Sequence, residues 1–210
     1  MRALLFAHGD PPSRSLVESL RAGANLIVAA DGGANLALEY GVAVDAAIGD
    51  LDSVSDAVRA TLPAAAFHLD ADPDRTDLQK AIDFCLGRGV TAIDVVAAGG
   101  GRADHALANL AVLSLYRGRT RLTIHDDLFA ISLVNGGATI ARPPGTVVSL
   151  IAIGECTGVT TSGLRWDLRS ATLPFSPLGI HNEVAVSPAS VTVSGGDLLL
   201  FEGRWVEKHR

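Results

Sequence analysis

The chain has 210 residues, 48% of them apolar, with a formal net charge of −6 and a pI near 5.4. This length admits one large domain or two small ones, and the apolar share supports a sizeable core and excludes general disorder. The acidic balance argues against nucleic acid and against an anionic membrane surface, both of which need a basic patch, so neither is expected as a partner. Two cysteines, Cys85 and Cys156, stand far apart and in no metal spacing. That usage fits a reducing cytosol, and a cytoplasmic location is expected. The opening run Met1-Arg2-Ala3-Leu4-Leu5-Phe6-Ala7 turns polar at His8. It is too short for a membrane span or a signal segment and reads as a first strand.

Up to about residue 126 apolar runs alternate with helical stretches. The runs predict strands over Arg2–Ala7, Asn25–Ala30, Ala46–Ile48, Ala66–Leu69, Ala92–Ala98 and Arg121–His125. Helices are predicted near Ser13–Ala22, Ala34–Tyr40, Val54–Leu62, Thr76–Leu86 and Ala103–Tyr116. Continuous apolar strands suit a sheet covered on both faces, and the alternation predicts a mostly parallel, Rossmann-like α/β domain.

Ligands in open α/β sheets bind beyond the carboxyl ends of strands. The second run stops at Asp31-Gly32-Gly33, the third at Gly49-Asp50-Leu51-Asp52-Ser53, and the fifth at Gly99-Gly100-Gly101-Arg102-Ala103-Asp104-His105. Glycines admit phosphate to backbone N–H groups, and a helix N-terminus favours anions. Paired acids such as Asp50 and Asp52 are costly to hold together unless a cation lies between them, and Mg²⁺ takes one or two carboxylates plus substrate phosphates. A purely structural reading of the same stretch has Ser53 capping the helix near Val54–Leu62, with Asp56 completing a capping box. Neither a Walker A loop nor a G-x-G-x-x-G after the first strand is present.

The next polar segment is Asp72-Pro73-Asp74-Arg75-Thr76-Asp77-Leu78-Gln79-Lys80. Thr76 and Gln79 form a capping box, with Asp77 complementing the helix dipole. Capping leaves Asp70, Asp72 and Asp74 unexplained. A functional reading adds a further carboxylate for metal or base, with Arg75 and Lys80 for phosphate.

After about residue 126 helical periodicity stops. Strands are predicted at Phe129–Val134, Ala138–Ala141, Thr146–Ile153, Gly158–Ser162, Glu183–Ser187, Ser190–Ser194 and Asp197–Phe201, separated by turn signals such as Pro143-Pro144-Gly145 and Gly195-Gly196. This reads as a smaller antiparallel β-sandwich or barrel, so that residues 1–126 form one domain and 127–210 another. Ser162-Gly163-Leu164-Arg165-Trp166 and His181-Asn182-Glu183 are polar and aromatic islands within it.

Taken in order, Asp31-Gly32-Gly33-Ala34, Gly49-Asp50-Leu51-Asp52-Ser53, Asp74-Arg75-Thr76-Asp77, Gly100-Gly101-Arg102-Ala103-Asp104-His105, Ser162-Gly163-Leu164-Arg165-Trp166 and His181-Asn182-Glu183 resemble the thiamine pyrophosphokinase family. The resemblance spans most of the chain. It implies Mg²⁺-dependent transfer of a pyrophosphoryl group from ATP to the thiamine hydroxyl, leaving AMP, by a homodimer that binds thiamine between subunits. It implies Asp31, Asp50, Asp52 and Asp77 as metal ligands, with Asp50, Asp52, Asp77 and Arg102 carrying catalysis. Nucleotide contacts are implied for Asp31, Gly32, Gly33, Thr76, Gln79, Lys80, Gly100, Gly101, Asp104 and His105, and thiamine contacts for Ser162, Trp166, His181 and Asn182. Pro73 stands where related sequences often have lysine, and His181 where they often have serine. Two other readings share parts of the pattern: a diphosphokinase for another alcohol such as a hydroxymethylpterin, and a non-catalytic metal–nucleotide binding module.

Overall fold

The computed structural model describes Met1–Val206, and its chain divides into two compact units, Met1–Asp127 and Leu128 onward. In the first, six strands alternate with helices: β1 (Arg2–Phe6), β2 (Leu26–Ala30), β3 (Ala46–Gly49), β4 (Phe67–Leu69), β5 (Ala92–Val96) and β6 (Arg121–His125). All pair in parallel in the order β4-β3-β2-β1-β5-β6. The chain order reverses between β1 and β5, so the crevice beyond their carboxyl ends is the topological switch point of the sheet.

The helices are α1 (Arg14–Arg21), α2 (Gly33–Glu39), α3 (Asp56–Thr61), α4 (Asp77–Gly87) and α5 (Ala103–Leu115). Leu16, Val17 and Leu20 of α1, Ala34 and Ala37 of α2, and Val58 of α3 pack with Leu4, Phe6, Ala29, Ala47 and Val96 of the sheet. Phe6 is fully buried, and truncating it to Ala is expected to cost about 3–5 kcal/mol. Helix α3 begins later than the apolar run suggested. Its cap is Ser55, whose side chain accepts from the Val58 N–H, not Ser53.

The second unit is antiparallel: β7 (Phe129–Val134), β8 (Gly137–Ile140), β9 (Thr146–Ser162), β10 (Ala171–Pro174), β11 (Asn182–Glu183), β12 (Ala189–Thr192) and β13 (Gly195–Val206). Its path is β7-β13-β9-β12-β8, with β10 and β11 also on β9. Two strands expected separately, Thr146–Ile153 and Gly158–Ser162, are one 17-residue strand. A register shift at Gly196 lets β13 follow β9 past the irregular stretch between them. The strand expected at Glu183–Ser187 is only the pair Asn182–Glu183, and β10 carried no expectation. Val148, Leu150, Cys156, Val159, Val191, Leu198 and Leu200 form the core of this unit.

Candidate active site

Three chain segments converge at the carboxyl edge of the first sheet. Strand β2 ends at Asp31, whose N–H donates to the Ile48 carbonyl at 2.8 Å and whose φ is +44°. Strand β3 ends at Gly49, followed by Asp50 and by Leu51 at φ +64°. Left-handed conformations at non-glycine residues are uncommon and gather where structure is held for function. Gly49 itself, at φ +147°, has no room for a side chain: a Cβ there would lie 2.8 Å from Asp77 Oδ1 and 3.1 Å from Asp31 Cβ. Helix α4 supplies Asp77 at its first position. Its start is fixed by the expected capping box: Gln79 N–H to Thr76 Oγ1 at 3.3 Å and Thr76 N–H to Gln79 Oε1 at 2.9 Å.

The result is that carboxylate oxygens of Asp31, Asp50 and Asp77 all lie within 4.8 Å of one another. Asp31 is buried, Asp77 half-buried and Asp50 exposed. Among the described residues one cation touches the group: buried Lys80, whose Nζ is 2.9 Å from Asp77 Oδ1. A single ammonium leaves two further carboxylates close together, an arrangement that a hard divalent cation relieves and that suits Mg²⁺ in its all-oxygen chemistry. Asp52 lies outside this trio. It is exposed, and Ser53 Oγ donates to it at 2.9 Å.

These acids form one wall of a cavity of about 720 Å³. Of the sequence-predicted residues, Asp31, Asp50, Asp52, Thr76, Asp77, Gly100, Gly101, Arg102, Asp104 and His105 line it. Gly32, Gly33, Gln79 and Lys80 do not. Gly33 lets α2 approach the sheet, since a Cβ there would lie 2.2 Å from the Phe6 carbonyl oxygen. Gln79 is spent on the helix cap and Lys80 on Asp77. Across the cavity, Arg102 forks onto Asp104 at 2.6 and 3.1 Å, which brings the Asp104 carboxyl down to about 2. Both side chains are well exposed, so the pair adds little stability and is open to re-pairing with an anionic ligand. Gly100 and Gly101 both have positive φ just before the N-terminus of α5.

His8, Gly9 and Asn109 also line the cavity, and sequence reasoning did not single them out. His8 and Gly9 follow β1, and the strand-end rule, had it been applied to the first strand as well, would have found them. Asn109 sits inside α5 and donates to the Ala98 carbonyl at 2.8 Å, an arrangement with no local sequence signal.

Arg75, expected to face phosphate, is held instead by Asp70, Asp72 and Asp83.

In the second unit Trp166 is 55% exposed. Asn182 grips its backbone from both sides: the Trp166 N–H donates to Oδ1 at 3.2 Å, and Nδ2 donates to the Trp166 carbonyl at 2.8 Å. Asp167 shapes the same turn by accepting from Thr161 Oγ1 and from the Gly163 and Leu164 N–H groups. The Arg165 guanidinium stands 4.9 Å from the indole centroid and pairs with buried Glu183. His181 is exposed at φ +58°, with its N–H on Ser149 Oγ at 3.0 Å. Ser162 is exposed at the end of β9, opposite Ser190.

Residues 17–124 match the model of the thiamin pyrophosphokinase catalytic domain, and residues 138–198 that of the thiamin pyrophosphokinase vitamin B1 binding domain. Thiamine pyrophosphokinase 1 of Arabidopsis thaliana is 31% identical over 207 residues, covering 84% of this chain and 77% of its own. Thiamine pyrophosphokinase of Bacillus subtilis is 29% identical over 194 residues, covering 84% and 86%. Among solved structures, thiamine pyrophosphokinase from Bacillus subtilis superposes with a TM-score of 0.84 at 24% identity, over 98% of this chain and all (100%) of that one. The yeast enzyme gives 0.83 at 17%, over 96% and 86%. The structural likeness carries the fold alone, while the matched domain models and the Arabidopsis relative carry membership: the chain belongs to the thiamin pyrophosphokinase family.

Proposed function

We propose that this protein is a thiamine diphosphokinase that moves a pyrophosphoryl group from ATP to the thiamine hydroxyl. The bond formed joins the alcohol oxygen to the β-phosphorus. The bond broken lies between that phosphorus and the α,β-bridging oxygen, and AMP leaves. The observation that carries this reading is the meeting of Asp31, Asp50 and Asp77 within 4.8 Å in the wall of a cavity.

Asp31, Asp50 and Asp77 are the residues that would hold Mg²⁺, with Asp52 beside them. A bound divalent cation neutralises triphosphate charge in this chemistry. The protein's own part is positioning and electrostatics. Gly100, Gly101 and the N-terminus of α5 receive phosphate oxygens, with Thr76, Asp104 and His105 on the nucleotide's path. Arg102 exchanges Asp104 for phosphate and stabilises charge on the departing AMP. A carboxylate of the acidic wall takes the proton lost by the alcohol. Trp166, with its exposed indole, offers a face to the cationic thiazolium or the aminopyrimidine ring, and Ser162, His181 and Asn182 surround or support it.

We further read the enzyme as a cytoplasmic homodimer. Exposed Trp166, Phe175, Leu178 and Ile180 on the second unit support an apolar interface, and isologous dimers are the commonest assembly. Cys85 and Cys156, buried in different units, fit a reducing compartment. No described helix is long and apolar enough to cross a membrane.

The test is incubation with ATP, Mg²⁺ and thiamine, followed by nucleotide and thiamine analysis. AMP and thiamine diphosphate are expected in equal amounts. ADP as the sole nucleotide product contradicts the proposal. Sedimentation that gives a fully active monomer at every concentration contradicts the dimer.

A further inference from the structure

Helix capping accounts for Thr76, Asp77 and Gln79 but leaves the acids that precede them without a task. The geometry gives one to Asp70 and Asp72. Arg75 Nη2 lies 2.7 Å from Asp70 Oδ2, Nε lies 2.8 Å from Asp72 Oδ2, and Nη1 lies 3.2 Å from Asp83 Oδ2. All three guanidinium nitrogens are therefore engaged, each by a different carboxylate. The three partners belong to different segments. Asp70 follows β4, and its N–H donates to the Gly49 carbonyl at 2.8 Å, directly before Asp50. Asp72 lies in the loop, accepting from the Asp74 N–H at 2.9 Å. Asp83 lies on the body of α4, below Asp77.

Arg75 itself stands just before the cap residue Thr76. The clasp therefore ties the end of β3, which carries Asp50, to the start of α4, which carries Asp77. The side chains involved are only about a third exposed, so the fork is partly shielded from solvent. Arginine suits this place because its planar fork engages several carboxylates at fixed angles, which the single ammonium of lysine cannot do.

We propose that Arg75 is a positioning residue of the acidic site: it sets the Asp77 carboxylate against those of Asp50 and Asp31, and it does not bind phosphate. The inference rests on the reading of Asp31, Asp50 and Asp77 as a divalent-cation site. Replacing Arg75 with glutamine leaves Asp70, Asp72 and Asp83 without their shared cation, so repulsion loosens the loop that aims Asp77.

The experiment uses Mn²⁺ as the probe, titrated into the purified full chain without nucleotide and followed by electron paramagnetic resonance. Thermal melting runs in parallel. Arg75→Gln is expected to weaken Mn²⁺ binding about tenfold, the low end of the loss seen when outer support of a metal ligand is removed. Arg75→Lys is expected to fall between it and the unmodified chain, and serves if the glutamine variant does not fold. Leu20→Ala, in the α1 core, is the control: it should lower the melting temperature while leaving Mn²⁺ affinity unchanged. In steady-state assays Arg75→Gln should raise the Mg²⁺ concentration for half-maximal rate and recover kcat when Mg²⁺ is saturating. Mn²⁺ affinity unchanged in both Arg75 variants overturns the inference, as does a raised KM for ATP with Mn²⁺ binding intact. Failure of the unmodified chain to bind Mn²⁺ overturns instead the cation-site reading on which the inference stands.

Discussion

Two groups of three carboxylates lie in the first unit, and they are built in opposite ways. Asp70, Asp72 and Asp83 converge on one guanidinium, that of Arg75. Asp31, Asp50 and Asp77 converge on one another, with only the Lys80 ammonium, among the described residues, on Asp77. In the first group Arg75 holds the Asp72 carboxyl below the usual carboxylate range, while Asp72 in turn raises the guanidinium above its own. The first group carries its countercharge within the fold and can serve as a clasp. The second carries one ammonium for three carboxylates, and the backbone that holds it has Asp31 and Leu51 at positive φ and, at 49, a glycine whose φ of +147° and closeness to Asp77 disfavour a side chain. Acid count alone therefore does not mark a site; what marks it is acid without a built-in partner, beside open volume.

The sharpest way to break that contrast is Asp50→Asn. It keeps shape and removes one oxygen ligand, so turnover should fall by roughly 10²–10³. The melting temperature should hold or rise, because a like-charge contact is relieved. Near-normal kcat in steady-state assays would contradict the division between the two groups.

A smaller effect is expected in the second unit. Trp166→Ala removes a face worth about 0.5–2 kcal/mol to a cation, which is roughly a two- to thirtyfold rise in KM for thiamine. With the side chain 55% exposed, the unfolding midpoint should barely move. A large stability loss with no selective thiamine defect would place Trp166 with the core. Asn182→Ala should act in the same direction and more weakly, since it frees the Trp166 peptide without deleting the ring.

The smallest effect concerns a third acid with its partners built in, buried Asp94 on β5. Burial opposes its charge, but hydrogen bonds from His125 at 2.8 Å and from Arg2 outweigh that, and its carboxyl sits below the ordinary value of 3.8. A carboxylate with a lowered folded-state pKa stabilises fully above its unfolded value and loses that contribution as pH falls through the folded one. Asp94→Asn should therefore cost stability at neutral pH and little once the pH lies well below the carboxylate range, a difference that denaturant melts at two pH values resolve. A pH-independent cost would show that packing, not charge, dominates there.

Much of this was legible before any coordinates. The six parallel strands read directly as continuous apolar runs, and Asp31, Asp50 and Asp77 read as acids at segment ends. Thr76 and Gln79 carry a cap signature that depends on local spacing alone, and the structure forms it as read. What depends on distant partners was not legible. Ser53 matched a local capping pattern, but its Oγ donates to Asp52 at 2.9 Å, and Ser55 is the residue that caps. Arg75 looked like a phosphate ligand because charge is visible in a sequence and the carboxylate of Asp83, eight residues on, is not assigned to it by any pattern. The bonds of Asn182 to a backbone 16 residues away were likewise beyond any local pattern. The fusion of two expected strands into β9 depends on a bulge of β9 itself against β13, a partner about 40 residues later that no local window contains.

The most direct test of the contrast between the two acid groups is Mn²⁺ binding to Asp50→Asn and Asp83→Asn, titrated side by side without nucleotide. Each variant loses one carboxylate charge, one from each group. Asp83 makes the longest of the three Arg75 contacts, at 3.2 Å, so its removal leaves the clasp on Asp70 and Asp72. The account predicts that Asp50→Asn loses Mn²⁺ affinity by about 10-fold or more, while Asp83→Asn stays within about threefold of the unmodified chain. Equal losses in the two variants, or undiminished binding by Asp50→Asn, would contradict it.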